Sequence, residues 1–384
     1  MLDTAFAIDP ENDWVKRHNS DALRVLESWE IGRPERVPLL CDDYPHVHGF
    51  YADEIDLNYR DYYNDPETMF EVQLGAAKRR REMPIYDFVL GHAPDSWPLS
   101  VDFHPVQLPS WLGCELLYRE RSVIAHKQRN LSKEECDELQ RPDLETSGLL
   151  PANHDFEVRL RALGDTTQFL GRPVGPVDYY VGSHGLLTSA LDLRGPGLFE
   201  DMIADPDFVD RFLRKIVEWI GDLMSLWHGP GPGALEYGDH GIEMISRAHY
   251  ERFIVPVIKE TNERRGTVPG TDLHHCGSGT HLFPAIQEHF GITSINALTY
   301  PLVDVARVRA ELGEDVRIDA VIADEIVKLG PPEKIRQIVK EFMATGAKGN
   351  GGLSLSTGDM MRGTPMEHRI ALYESVKEFG SYAR

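Results

Sequence analysis

The sequence is poor in cysteine, in long apolar runs and in positive charge. Its 4 cysteines have no paired spacing, which argues against a disulfide framework. No run of about 18 apolar residues could cross a membrane, and the amino terminus lacks the basic start of a signal peptide. With 40 basic and 62 acidic residues, the formal net charge is −22, which argues against nucleic-acid and anionic membrane surfaces as partners. We therefore expect a cytoplasmic protein that binds neither.

The chain is long and apolar enough for one large domain. Apolar residues make up 41% of its 384 residues, which suffices for one barrel-sized core or two ordinary ones. Residues 1–30 predict a helical extension lying against the body, and the polar, proline-punctuated stretch 131–165 predicts an insertion. Within this stretch, Ser132 and Glu135 have the spacing of a capping box at a helix start. We expect a single domain over 1–384.

From residue 166 onwards, short apolar runs alternate with helical stretches. The apolar runs are 168–170, 234–237, 272–276, 294–298, 316–321 and 352–356, and the helical stretches are 206–227, 247–264, 281–290, 303–312, 332–344 and 366–379. This alternation is typical of parallel strands joined by crossover helices. It predicts an α/β fold, a (β/α)8 TIM barrel, with an open doubly wound sheet as the alternative.

The stretch 271–278 places ligand-type side chains directly before a glycine turn. Side chains alternate between the two faces of a strand, so His274 and Cys276 point the same way while His275 points oppositely. Imidazole and thiolate at this spacing can hold a metal ion such as zinc. We predict that His274 and Cys276 form half of a metal site and that His275 faces the barrel wall.

Carboxylates follow two other predicted strands. Glu236 and Asp239 lie at the end of one, and Asp359 lies at the end of the last. In a barrel, the carboxyl ends of all strands share one mouth, where active sites are built. The histidine, the cysteine and one of these carboxylates would leave a fourth zinc position open, as catalytic zinc sites do.

Several motifs together resemble the uroporphyrinogen decarboxylase superfamily. The motifs are Leu273-His-His-Cys-Gly277, Ile292-Thr-Ser-Ile-Asn296, Leu312-Gly-Glu-Asp-Val316, Leu329-Gly-Pro-Pro-Glu333, Gly351-Gly-Leu-Ser-Leu-Ser-Thr-Gly358 and Thr364-Pro365, with the opening Arg33-Pro-Glu-Arg-Val-Pro38 and the helix start Asp205-Pro-Asp-Phe-Val209. The match covers most of the chain and is nearest to the branch of cobalamin- and coenzyme M-linked methyltransferases. The resemblance implies a (β/α)8 barrel, in agreement with the alternation.

In the methyltransferase branch, the resemblance implies a zinc ion held by a His-x-Cys pair and by a second cysteine at the last strand end. His274 and Cys276 match the pair. Asp359 stands where the second cysteine is expected, between Gly358 and the Thr364-Pro365 pair. A carboxylate donates less charge than a thiolate, so the ion would be more Lewis-acidic.

The resemblance therefore implies a zinc-dependent methyl or alkyl transferase that acts on a small methylated substrate. Its partner would be a thiol, or methylcobalamin carried by a separate corrinoid protein. Asp239 and His240 would orient the substrate or move protons. The remaining expected substrate contacts are Glu236, Tyr44, Tyr179 and Tyr180.

Two alternatives stay open from the sequence. A decarboxylase of the uroporphyrinogen type needs arginines at its cavity, yet the segment Leu39–His48 is acidic and arginine-free. A catalytically silent ligand-binding barrel would have lost its metal-competent side chains, whereas this chain keeps them. The sequence also leaves open whether the protein is a homodimer.

Overall fold

The structure is a computed structural model that describes residues 5–40, 50–103, 106–179, 184–228, 240–266, 272–275, 277–357 and 362–382. The helices, in chain order, are α1 (Asp13–Glu30), α2 (Phe50–Glu54), α3 (Tyr59–Tyr62), α4 (Pro66–Arg80), α5 (Gln107–Trp111), α6 (Lys133–Glu138), α7 (Leu150–Thr166), α8 (Leu186–Arg194), α9 (Gly197–Ala204), α10 (Pro206–His228), α11 (Arg247–His249), α12 (Val255–Arg265), α13 (Phe283–Phe290), α14 (Val305–Leu312), α15 (Asp324–Leu329), α16 (Pro332–Ala344) and α17 (Met366–Phe379). None of these helices is long and apolar enough to span a bilayer.

The strands are short, and those that are mainly buried are β2, β9 and β10. They are β1 (Leu39–Leu40), β2 (Trp97–Val101), β3 (Glu115–Leu117), β4 (Ala125–Lys127), β5 (Gln168–Phe169), β6 (Arg172–Tyr179), β7 (Asp272–His274), β8 (Ser294–Tyr300), β9 (Arg317–Ile322) and β10 (Leu353–Ser356). Regular structure in the described residues also includes the 3₁₀ turns His240–Met244 and Gly279–Leu282 and the π-helical turn Tyr250–Ile254.

The central feature of the fold is a parallel sheet in the order β1-β10-β9-β8-β7. Helices connect its successive strands, which confirms the predicted α/β class. The first strand pairs with the last, Leu39 opposite Leu355. This pairing is what closes a (β/α)8 barrel, whereas an open doubly wound sheet keeps separate edges.

A second parallel pair, β2 with β6, supplies two further strands. Within the described ranges no ladder joins this pair to β1 or to β7. The predicted strand at 234–237 falls between β6 and β7 and lies outside the described residues. The parallel strand predicted at 168–170 was misplaced. These residues contain β5, which runs antiparallel to β6, and the parallel strand of this region is β6 itself.

Most helices agree with the predicted ranges. The structure bounds α16 and α17 at the expected residues, and Ser132 caps α6 in the predicted capping box with Glu135. The predicted helix 247–264 is divided by the π-helical turn. In the stretch 131–165, α7 packs Phe156 and Leu160 into a cluster with β2 and β6, and the single-domain organisation stays a prediction.

The amino end of the sheet is covered by the end of α1. The guanidinium of Arg317 at the start of β9 stacks over the Trp29 ring, 4.9 Å from its centroid. The same side chain donates a hydrogen bond to the Glu30 carbonyl (2.9 Å). The end of α1 therefore lies against the start of β9, at the end of the sheet opposite to the expected mouth.

A buried ion pair holds β1 in place beside β10. Asp87, whose side chain is fully buried, accepts hydrogen bonds from both terminal nitrogens of Arg36 (2.5 and 2.8 Å). It also accepts from the backbone N–H of Leu39 (2.8 Å) and from the hydroxyl of Tyr373 (3.0 Å). One carboxylate thus joins the chain before β1, β1 itself and α17.

We expect Asp87→Ala to destabilise the fold by about 3–5 kcal/mol, because it leaves the Arg36 guanidinium buried without its partner. Urea unfolding followed by circular dichroism measures the change. The matched control is Glu378→Ala, which breaks an exposed pair with Arg336 (both side chains 49% exposed) and should cost less than about 1 kcal/mol. Equal losses of unfolding free energy in the two variants would contradict the role assigned to Asp87.

Candidate functional site

His274 is the last residue of β7, and His275 follows it directly. The two histidines lie on opposite faces of the sheet. His275 is fully buried, its ring packs edge-on against Phe283 of α13 (5.5 Å between centroids), and its Nε2 accepts the backbone N–H of Gly279 (2.9 Å). His274 is exposed, while its neighbour Leu273 is buried with His275 on the helix side. His274 therefore faces the interior of the barrel, as strand alternation predicts.

A hydrogen bond from the next strand orients the His274 imidazole. Its Nδ1 lies 2.8 Å from the amide oxygen of Asn296, and the two residues are register partners in the β7–β8 ladder. An amide oxygen only accepts, so Nδ1 carries the proton and Nε2 carries the lone pair. This is the arrangement in which a histidine binds a metal through Nε2.

His240 lies beside His274. It opens the 3₁₀ turn that follows the predicted strand end, and the two rings are 6.0 Å apart and nearly perpendicular. Desolvation lowers the pKa of His240, and the neighbouring His274 lowers it further. The structure therefore brings together two residues that are distant in sequence and that were both predicted for the site.

Glu243, which the sequence did not single out, links the turn that carries His240 to the turn that follows His274 and β7. Its carboxylate accepts the backbone N–H of Ser278 (2.7 Å) and the Ser278 hydroxyl (3.0 Å). These hydrogen bonds lower the pKa of Glu243, so the group is ionised at neutral pH. The anion fixes the 3₁₀ turn of His240 to the turn after β7.

The inner faces of β8, β9 and β10 are polar at the level of His274. Asn296, Asp319 and Ser354 share this face, because parallel register partners point the same way. The Ser354 hydroxyl donates to the Asp319 carboxylate (2.6 Å). Barrel interiors are ordinarily filled by branched aliphatic side chains, so this polar layer indicates a surface that faces a ligand. In the sequence, the signal for this layer was a polar residue in the middle of each of the apolar runs that form β8, β9 and β10.

Tyr179, an expected substrate contact, ends β6. Its hydroxyl accepts hydrogen bonds from the amide nitrogens of Gln107 and Asn153, the latter at 2.6 Å. Burial raises the pKa of Tyr179, so the phenol stays protonated. The side chain is half-buried and firmly held at the carboxyl end of its strand.

Two other polar groups near strand ends were not predicted. Asp102 follows β2, is 1% exposed and accepts the Tyr62 hydroxyl (2.8 Å). His126 bonds through Nε2 to Asp192 of α8 (2.8 Å), and its ring centroid lies 6.3 Å from that of His184, between β6 and α8. Their residue types occur at too many other positions for the sequence to have picked them out.

The remaining predicted site residues lie outside the described residues. They are Tyr44, Tyr180, Glu236, Asp239, Cys276 and Asp359. Within the described ranges, no three histidine, cysteine, aspartate or glutamate side chains form a group that could hold a metal ion. The metal site therefore stays a prediction of which His274 is the described part.

The parallel sheet and the histidine pair define an α/β protein with polar side chains on the inner face of its sheet. The chain belongs to the uroporphyrinogen decarboxylase family, since residues 19–379 match the family model described as Uroporphyrinogen decarboxylase (URO-D). This membership confirms the predicted superfamily and its barrel fold.

A solved structure shares the fold over nearly the whole chain. It is a methyltransferase from Methanosarcina mazei, with a TM-score of 0.61 and 16% sequence identity, covering 94% of this chain and 98% of that one. A search of curated proteins finds no match.

Two cysteines are predicted to be unreactive. Burial raises the pKa of Cys114 to about 12 and that of Cys136 to about 11, so both thiols stay protonated at pH values where a free thiol ionises. At mildly alkaline pH, we expect iodoacetamide to label both at least ~100-fold more slowly in the native protein than in urea. Peptide mapping by mass spectrometry measures the rates, and native labelling at the unfolded rate would refute the prediction.

Proposed function

We propose that the protein is a zinc-dependent methyl or alkyl transferase that acts on a small methylated substrate. The supporting observation is the His274–Asn296 hydrogen bond, which leaves Nε2 of an interior-facing histidine ready to bind a metal. Membership in a family of enzymes, and a fold shared with a methyltransferase, support the same assignment.

The proposed donor set suits zinc. His274, Cys276 and Asp359 would supply an imidazole, a thiolate and a carboxylate, which are the three ligand types that zinc accepts. Three protein ligands leave a fourth position for substrate, as in catalytic zinc sites. With one carboxylate in place of a thiolate, the bound zinc would be more Lewis-acidic.

When bound, zinc would lower the pKa of a thiol or hydroxyl of the substrate and so favour its anion. His240 is the described residue that could take up the released proton, because its pKa is lowered and it is neutral near pH 7. Asp239 would orient the substrate next to it. Further contacts would come from the side chains of Glu236, Tyr44, Tyr179 and Tyr180.

The polar layer below the histidine pair supports a small polar substrate over a large apolar one. Asn296, Asp319 and Ser354 offer an amide, a carboxylate and a hydroxyl on one face of the interior. A separate corrinoid protein with methylcobalamin is the proposed partner that would supply or receive the methyl group. The acidic chain, with net charge −22, would favour partners or partner surfaces of positive charge.

A decarboxylase is the second candidate, favoured by the family description. The reaction would need cationic side chains to hold a substrate with several carboxylates. In the described part of the chain, the polar layer is formed by an amide, a carboxylate and a hydroxyl, which provide no positive charge. The transferase therefore ranks first.

We expect the purified protein to hold zinc in about one-to-one stoichiometry, because the three proposed ligands would together hold one ion. Elemental analysis by mass spectrometry measures the content. His274→Ala and Cys276→Ala should each lose the metal and retain the native circular dichroism spectrum. His154→Ala, at a histidine with a 75% exposed side chain, is the control and should keep the metal. A folded wild-type protein without metal would exclude the proposal.

The reaction class is tested by two assays of the zinc-loaded protein. With methylcobalamin and a panel of thiols as methyl acceptors, or with cob(I)alamin and a panel of methoxylated aromatics as methyl donors, we expect a change in the corrinoid absorption spectrum as the methyl group leaves or joins the cobalt. His240→Gln should slow this transfer by roughly 100-fold or more if the residue takes the proton. Carbon dioxide release from uroporphyrinogen, without methyl transfer, would instead support the decarboxylase.

A further inference from the structure

Strand β8 contains an irregularity next to the candidate site. Ile295 pairs with Ile318 of β9, but the next pair along the ladder is Leu298 with Ala320. Asn296 and Ala297 together therefore face the single residue Asp319, which is a β-bulge. Bulges bend a strand and redirect side chains, and they are common next to active sites.

The bulge is accompanied by an unfavourable backbone conformation. Ala297 has φ +65°, in the left-handed region that residues other than glycine seldom adopt. The flanking residues hold it there, because Ile295 (1% exposed) and Leu298 (fully buried) are both anchored on the helix side. Such conformations persist where the surrounding packing imposes them, and they cluster at functional sites.

The bulge is also where the strand contacts His274. Asn296 is its first residue, and its amide oxygen lies 2.8 Å from Nδ1 of His274. On the side of β8 that pairs with β9, Asn296 and Ala297 face Asp319. The carboxylate of Asp319 accepts a hydrogen bond from the Ser354 hydroxyl. The extra residue thus lies at the level of the polar layer.

We propose that Asn296 is a positioning residue, held against His274 by the bulge at Ala297, that fixes the imidazole with its proton on Nδ1 and its lone pair on Nε2. The tautomer follows from the hydrogen bond between the two side chains alone. The consequence for metal binding rests on the proposed function, since it takes Nε2 of His274 as a zinc ligand.

The tautomer is measured in the metal-free protein by two-bond ¹H–¹⁵N correlation spectra at mildly alkaline pH. His274→Gln identifies the signal by its loss. We expect the wild type to carry the Nδ1 proton and Asn296→Ala to lose that preference. Asn296→Asp should restore it, because a carboxylate oxygen also accepts from Nδ1–H. An unchanged tautomer in Asn296→Ala, or an Nε2 proton in the wild type, would overturn the proposal.

The second readout is zinc affinity, measured by competition with a chromogenic chelator. Asn296→Ala should weaken binding by about 10–100-fold, as loss of a histidine's outer partner does at other zinc sites. Asn64→Ala, at an exposed asparagine in the turn after α3, is the matched control and should bind like the wild type. If the wild type binds no zinc, the proposed function fails while the tautomer result still decides the role of Asn296. If Asn296→Ala binds zinc like the wild type, the positioning role for the metal fails.

The role of the bulge is tested at Ala297. Ala297→Gly removes the steric conflict at positive φ, so we expect a higher melting temperature with an unchanged His274 tautomer. Ala297→Val places a branched side chain in the same conformation, and we expect a lower melting temperature with the Nδ1 preference lost. Because the glycine variant should fold at least as well as the wild type, loss of the tautomer there would refute the link between bulge and imidazole.

Discussion

The fold depends on the first strand lying beside the last, and the carboxylate of Asp87 is the interaction that secures this. It binds the Arg36 guanidinium, the backbone of Leu39 and the hydroxyl of Tyr373, so it joins both ends of the chain. A buried carboxylate with a charged partner needs all its hydrogen bonds satisfied, since a missing partner leaves an uncompensated charge. The parallel sheet can then present its carboxyl ends to one shared mouth.

The parts of the fold that the sequence predicted best are those set by local pattern. The bounds of α16 and α17 follow from apolar periodicity, with a proline beside the start of each helix. The strand β6 was missed because its run contains Pro173, Gly175 and Pro176, which normally argue against a strand. The π-helical turn in 250–254 has no pattern that sequence reading could detect.

In the candidate site, too, the residues set by local sequence pattern were predicted and those set by contacts between elements were not. Alternation along one strand correctly separates His274 from His275, because it needs only the strand itself. The partners Asn296 and Glu243 could not be predicted, since the first depends on register across two ladders and the second on how two turns approach. The proximity of His240 to His274 follows from the shared mouth of the barrel, although their 6.0 Å spacing does not.

The bulge in β8 also determines which residues of the strand beyond it face the helices. Ile295 and Leu298 are both buried although they lie three positions apart, whereas a regular strand would place them on opposite faces. Without Ala297, Asn296 would directly precede Leu298, and the strand would pair regularly with Leu298 still buried. The left-handed alanine is therefore the one residue of β8 whose deletion leaves both faces of the strand as they are, whereas a one-residue deletion elsewhere in the strand would turn the residues beyond it over.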